Sequence, residues 1–236
     1  MSLAPDRVVP LLRGRFGRPY LHQETCQTTQ ELVRGLPEGA VATCEEQLAG
    51  RGRRGRAWVC PAGGGVLCSL SLWPKTPAGR LAPLSLVIAE GVCEALDERA
   101  QVRWPNDVLI DGRKLAGVLV ELRDGQMIAG IGINANLEPA QLPTDARVPA
   151  TSLQIERGSP VDRAEVLSGL LEVLERRYDR FEAEGFTGLE RDELRGRTVR
   201  LVGGGEGACE GTAADGALIV AGVAYHSAEV ERVEVA

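Results

Sequence analysis

A chain of 236 residues is long enough for one large hydrophobic core and a small second one, and 44% hydrophobic with 25% charged residues is the balance of a folded protein rather than a disordered one. The formal net charge of −6 argues against a face that binds nucleic acid by neutralising many phosphates. No apolar run is long enough to span a bilayer, and prolines and arginines interrupt the opening segment where a secretory signal would be apolar, so a cytoplasmic protein without membrane attachment is expected.

Along the chain, strand-like runs come first: Val41 to Cys44, Val66 to Leu72, Val108 to Ile110, Leu115 to Leu122 and Met127 to Ile133. The Asp111-Gly112 and Asp124-Gly125 turns between them predict consecutive hairpins and a largely antiparallel sheet. Leu84, Ile88, Val92 and Leu96 recur at helical spacing and predict a helix over Pro83 to Glu98 that lies on that sheet. A second helix is predicted from Pro160 to Glu184, with Ser159 as its cap and a stripe from Leu167 to Phe181. After Gly185, short strands at Thr198 to Val202, Ala217 to Ala221 and Glu229 to Val235 predict a small all-β module. The domain division is placed at 1–191 and 192–236. The six cysteines form no CxxC pair and no metal-type spacing, so they are expected to be reduced, buried small hydrophobes.

The segment Gly50-Arg51-Gly52-Arg53-Arg54-Gly55-Arg56 is the anomaly, four arginines inside an acidic protein. It satisfies G-x-G-x-x-G on paper, but it leads into Trp58, Pro61 and a glycine run instead of opening a helix, which excludes a dinucleotide-binding turn. Glycines between guanidinium groups suit a loop that wraps one small, highly charged ligand through carboxylate or phosphate oxygens. Arg54 and Arg56 are equally compatible with a solvated charge run.

Further motifs follow: Trp104-Pro105-Asn106-Asp107, Lys114-Leu115-Ala116-Gly117-Val118-Leu119-Val120-Glu121 and Gly130-Ile131-Gly132-Ile133-Asn134. Together with Gln47 and the arginine loop, in this order and spacing, they resemble the biotin protein ligases from about residue 20 to the C-terminus. The resemblance implies an α+β fold, a mixed and largely antiparallel sheet with packed helices plus a small C-terminal SH3-like β-barrel. It implies an ATP- and Mg²⁺-dependent ligase with biotin as substrate, which forms biotinyl-5′-adenylate and transfers the biotinyl group to a lysine of a biotin carboxyl carrier protein domain of acetyl-CoA carboxylase or a related carboxylase.

By the same resemblance, Arg51, Arg53 and Lys114 are the catalytic cations. Thr25, Cys26, Gln27, Gln47, Gly52 and Gly117 join them around biotin. Trp58, Asn106, Asn134 and Gly132 take the nucleotide, and Asp107 takes the metal. Lys114 carries a separate signal, being one of two lysines in a chain with 25 arginines. The family's Ser-Thr-Asn triplet is matched to Thr25-Cys26-Gln27, a departure in which Cys26 is a poor donor. Arg103 stands where the family has lysine. Fewer than twenty residues precede the motifs, so no DNA-binding domain and no nucleic-acid partner are expected. Exposed sheet edges could serve a homodimer. The rival readings are a lipoate or octanoate ligase or transferase of the same fold, and a non-catalytic biotin sensor.

Overall fold

The computed structural model describes residues 2–144 and 147–235, so the outermost residue of each expected domain lies outside the described range. In chain order the first part contains α1 (Pro5–Val8), β1 (Tyr20–Cys26), α2 (Thr29–Leu32), β2 (Val41–Gln47), β3 (Gly65–Leu72), α3 (Leu84–Leu96), β4 (Ala100–Arg103), β5 (Asp107–Ile110), β6 (Arg113–Arg123) and β7 (Gln126–Asn134). Then come α4 (Leu153–Arg157) and α5 (Arg163–Glu184), followed by β8 (Thr198–Val202), β9 (Glu206–Thr212), β10 (Leu218–Val220), β11 (Val223–Tyr225) and β12 (Arg232–Val235). The first seven strands form one sheet in the order β1-β2-β3-β7-β6-β5-β4, and the last five form a second in the order β11-β10-β9-β8-β12. All pairings are antiparallel except β1 with β2, which α2 and its flanking turns connect in parallel.

The two-residue period of the central strands separates two faces. Val66, Cys68, Leu70 and Leu72 of β3 join Met127, Ala129, Ile131 and Ile133 of β7 in the main core, together with α3 and α5. Buried charge in this layer is paired: Arg163 meets Glu45 at 2.7 Å and Arg177 meets Glu90 at 3.0 Å. The opposite face carries α2 and, beside it, the cavity described below. No helix among the described residues is long and apolar enough to cross a membrane.

β4 is an edge strand, but its outer side is strapped by the chain leaving α5. Val102 N–H donates to Arg191 O at 2.7 Å, and Glu193 N–H donates to Val102 O at 3.0 Å. Arg103 grips Glu193 with two bonds of 2.7 and 2.8 Å, and Trp104 Nε1 donates to Gly216 O at 2.9 Å. Arg103 therefore ties β4 to this strap and does not line the cavity.

Two sequence expectations need correction. α5 begins at Arg163, and its cap is Asp162, which accepts from Ala164 N–H at 2.9 Å. Ser159 and Pro160 precede it because left-handed Gly158 ends α4, and Asn136 then holds Val161 by bonds of 2.8 and 2.9 Å. α1, α2, α4, β1, β4, β9 and β11 also lie outside the predicted elements. All six cysteines are free and buried, as the absence of metal or disulfide spacing led us to expect.

Candidate active site

The site starts from an irregularity in β6. Its pairing with β5 runs Val108 to Ala116 and then Leu109 to Lys114, leaving Leu115 as an extra residue. Such a bulge interrupts the alternation of faces. Leu115 and Ala116 both go into the core, and Lys114 and Gly117 come out on the same side, where a Cβ on Gly117 would stand 3.6 Å from Lys114 Cε. Residues 149–151 lie beside the bulge and fix it, Lys114 N–H donating to Pro149 O at 2.7 Å and Thr151 N–H to Lys114 O at 2.9 Å. Lys114 Nζ meets Asp107 at 2.7 Å and lies 5.5 Å from the centroid of the Trp58 ring.

Glycine forms the floor. Gly130 and Gly132 are two apart on β7, and Gly117 is the partner of Gly132 across the ladder. A Cβ on Gly132 would come within 2.5 Å of Trp58 Cε2, and one on Gly117 within 3.0 Å of its Cζ3. These glycines therefore seat the indole, so the ring of Trp58 lies against Gly117 and Gly132, the positions expected beside biotin and the nucleotide. Gly130 makes the same room for Gln30, whose Nε2 donates to Leu119 O at 3.0 Å.

The wall facing this floor is where the sequence expectation shifts by three residues. Thr28, Thr29 and Gln30 line the cavity, and Thr25, Cys26 and Gln27 do not. β1 runs through Cys26, whose side chain is buried with Cys44 and Cys60 while Thr25 and Gln27 face solvent; the chain turns onto the site only at Thr28, the N-cap of α2. Gln47 also lines the cavity and holds the triplet, its Oε1 accepting from Thr29 N–H at 2.9 Å and Thr29 Oγ1 at 3.2 Å. Thr29 Oγ1 lies 2.7 Å from Ser69 Oγ. Two buried polar atoms here have no hydrogen-bond partner among the described residues, Gln30 Oε1 and Trp58 Nε1. A donor and an acceptor left open in one small space suit a ligand that supplies both.

The arginine loop closes the cavity as a miniature hairpin. Trp58 N–H donates to Gly50 O at 2.9 Å, Arg51 pairs with Ala57, and Gly52 N–H donates to Arg56 O at 2.7 Å. Arg54 and Gly55 form the tip with φ of 57° and 71°. Arg51, Gly52, Arg53 and Arg56 line the cavity. The acidic partner of Arg51 among the described residues is a distant one, Glu121 at 3.8 Å. Burial lowers the pKa of Arg53, with its neighbour Arg54 acting in the same direction and Asp107 opposing, so a fixed positive charge is held there at a cost that an anion would relieve.

The cavity, about 140 Å³, also contains Asn106, Asp107, Lys114, Gly117 and Gly132. Asn106 spends its Nδ2 on Val118 O at 2.9 Å and so ties the Trp104–Asp107 corner to β6. A wider cleft of about 860 Å³ adjoins it and shares Arg56, Ala57, Trp58, Asp107 and Lys114, adding Asn134, Leu137, Leu142 and Arg147. Asn134 donates its Nδ2 to Thr151 O at 3.0 Å. The four expected nucleotide residues are thus divided: Trp58 faces both chambers, Asn134 the wide one, Asn106 and Gly132 the small one. Among the described residues no group of three or more acidic, histidine or cysteine side chains could hold a metal. Asp107 is already paired with Lys114.

A sheet of this topology, bearing a cation-lined cavity joined to a wider cleft, has clear counterparts. Residues 20–138 match the biotin/lipoate A/B protein ligase family, and the chain belongs to that family. It is 36% identical over 186 residues to the bifunctional ligase/repressor BirA of Bacillus subtilis, covering 73% of this chain and 57% of that protein, so it spans little more than half of that relative. It is 37% identical over 183 residues to the biotin–[acetyl-CoA-carboxylase] ligase of Paracoccus denitrificans, covering 72% of this chain and 75% of the other. The biotin protein ligase from Aquifex aeolicus, in complex with biotin and ATP, superposes with a TM-score of 0.81 at 29% identity over 92% of this chain and 98% of that one.

Proposed function

We propose that the chain is a biotin ligase, which joins biotin and ATP into biotinyl-5′-adenylate and then passes the biotinyl group to a lysine of a biotin carboxyl carrier domain, such as that of acetyl-CoA carboxylase. The observation that carries this reading is the meeting of two chambers at one cationic junction, with Trp58, Asp107 and Lys114 common to both. A small polar ring fits the first chamber: Gln30 Oε1 would accept from a ureido N–H, Trp58 Nε1 would donate, and Thr28, Thr29 and Gln47 would complete the contacts. Thr28-Thr29-Gln30 supplies two hydroxyls and an amide, which brings this chain closer to the Ser-Thr-Asn pattern than Thr25-Cys26-Gln27 did.

In the first step a carboxylate oxygen attacks the α-phosphorus and pyrophosphate leaves. Both reactants are anions, so Arg51, Arg53 and Lys114, fixed in place before the reaction, would stabilise the charge that builds between them. Asn134 and the indole of Trp58 would hold the nucleoside, with Gly132 and Asn106 supporting them. Asp107 would hold a magnesium ion carried in by the phosphates. In the second step the acceptor amine attacks the acyl carbon and AMP leaves with the bonding pair. Residues 192–236 would act as a separate module beside the site, and the outer edge of β1, unpaired among the described strands, would receive a second copy of the chain.

The experiment is pyrophosphate exchange into ATP with biotin, lipoate or octanoate as the acid, followed by mass measurement of a biotin carrier domain and a lipoyl domain. Biotin-dependent exchange with one biotinyl group added to the carrier is expected. Exchange driven by lipoate or octanoate would overturn the choice of acid, and biotin binding without exchange would make the protein a sensor.

A further inference from the structure

Arg54 belongs to none of the roles above. It lies at the tip of the arginine hairpin, does not line the cavity, and keeps a left-handed backbone that a non-glycine residue adopts only where its surroundings hold it. Its guanidinium points away from the site to the C-terminal sheet, where Nη2 donates to Val230 O at 3.0 Å and to Ala228 O at 3.3 Å. Arg53 reaches the same segment, Nη2 donating to Ser227 O at 2.9 Å. The receiving segment, residues 226–231, is pinned on its own account. His226 N–H donates to Glu229 Oε2 at 2.8 Å, Glu229 N–H to His226 O at 3.0 Å, and Glu231 N–H to Val202 O at 2.8 Å, while Val230 is buried. Three main-chain carbonyls are therefore presented together to two consecutive guanidinium groups. The acceptors are main-chain atoms, so their partners depend on the shape of the segment rather than on its side chains.

We propose that Arg54 is a positioning residue, and that the carbonyls of Ala228 and Val230 form a catch that holds the arginine hairpin down over the site. The C-terminal module then serves the reaction as a strap, keeping the hairpin that carries Arg51 and Arg53 over the cavity and slowing escape of the activated acid. Carbonyl oxygens suit this purpose: they anchor a guanidinium without neutralising it, so the positive field over the cavity is kept for the substrate, which a carboxylate catch would cancel. The service to the reaction rests on the reading in the previous section; the catch itself does not.

The test compares wild type with Arg54→Ala and Arg54→Lys. In the ligand-free protein, amide hydrogen exchange of residues 50–58 should rise roughly five- to twentyfold in Arg54→Ala, the range expected from losing two charge-assisted bonds at a part-exposed position. Arg54→Lys, which keeps a cationic donor, should recover most of the protection, and exchange in the main core should stay unchanged. Equal exchange of residues 50–58 in all three proteins would overturn the catch, as would Arg54→Lys behaving like Arg54→Ala. With biotin and ATP, release of preformed adenylate should quicken by a similar factor in Arg54→Ala at an unchanged melting temperature. Release at the wild-type rate would overturn the strap's part in the reaction. If wild type forms no adenylate, the functional reading fails, and the exchange data still decide on the catch.

Discussion

Arginine is used in two ways in this molecule, and the contrast explains how an acidic chain tolerates the cluster at 51–56. Between the sheet and its helices Arg163 and Arg177 each have a nearby acid: Arg163 has Glu45 at 2.7 Å, and Arg177 has Glu90 and Glu94 at 3.0 and 2.6 Å. In the hairpin the guanidinium groups are turned to carbonyl oxygens or to a carboxylate 3.8 Å away. The first group is electrically closed and holds the fold together. The second keeps its charge, and the chain offsets the excess elsewhere on its surface. Net charge therefore says little about a local site, because a field that matters over a few ångströms is set by neighbours and not by totals.

The contrast is tested hardest at the junction, where Lys114 lines both chambers with Asp107 at 2.7 Å. Lys114→Ala should lower biotin-dependent pyrophosphate exchange by roughly a thousandfold while leaving the melting temperature nearly unchanged, the scale seen when one preorganised charge-stabilising group is lost. Retention of exchange would assign the junction another purpose. On the closed side, Glu45→Ala takes the carboxylate from buried Arg163 and should cost about 3–5 kcal/mol in urea unfolding. Burial alone would raise the pKa of Glu45, but the Leu3 N–H and Arg163 outweigh it and leave it below its ordinary 4.5. The stability it adds is complete above that value and disappears as pH falls through the lowered native pKa, so Glu45→Gln should flatten the acid limb of the stability curve.

Smaller changes refine the picture. Gly132→Ala puts a methyl 2.5 Å from Trp58 Cε2, and the overpacking should cost about 1–3 kcal/mol in binding or stability, visible as altered indole fluorescence and weaker acid binding. The smallest effect belongs to Arg176, 59% exposed and paired with Glu94. Arg176→Ala should move the melting temperature by about a degree or less, as surface ion pairs usually do.

Much of the fold is legible in the residues because its central strands are long, apolar and separated by Asp-Gly turns. What escapes has physical reasons. β1, Tyr-Leu-His-Gln-Glu-Thr-Cys, is a half-exposed edge strand with little apolar alternation, and its parallel partner gives no hairpin signal. β9 contains two glycines, which read as loop. The triplet was displaced because hydroxyl and amide residues recur from Thr25 to Gln30, and only helix chemistry separates the choices: Thr28, followed three residues later by Glu31, is a capping pattern, and the structure has Thr28 accept from Gln30 N–H. Arg51, Arg53 and Lys114, which line the cavity, stand out in the sequence by residue type and spacing. That Lys114 faces the cavity with Gly117 is not readable there, since only the bulge at Leu115 brings two residues three apart onto one side.

The ion pair between Lys114 and Asp107 also bears on which amines could attack an activated acyl group. The side-chain amine at the junction is tied to a carboxylate at 2.7 Å and lies against an indole, so its contacts hold it in place. The chain's other lysine, Lys75, follows the far end of β3, where Leu72 pairs with Met127, five residues along from the Leu67–Gly132 pair at the cavity. At about 3.3 Å per residue that is more than 15 Å of strand away. If the chain forms the acyl adenylate proposed above, it offers that mixed anhydride almost no lysine of its own, and the acyl group would be taken by an amine on another protein.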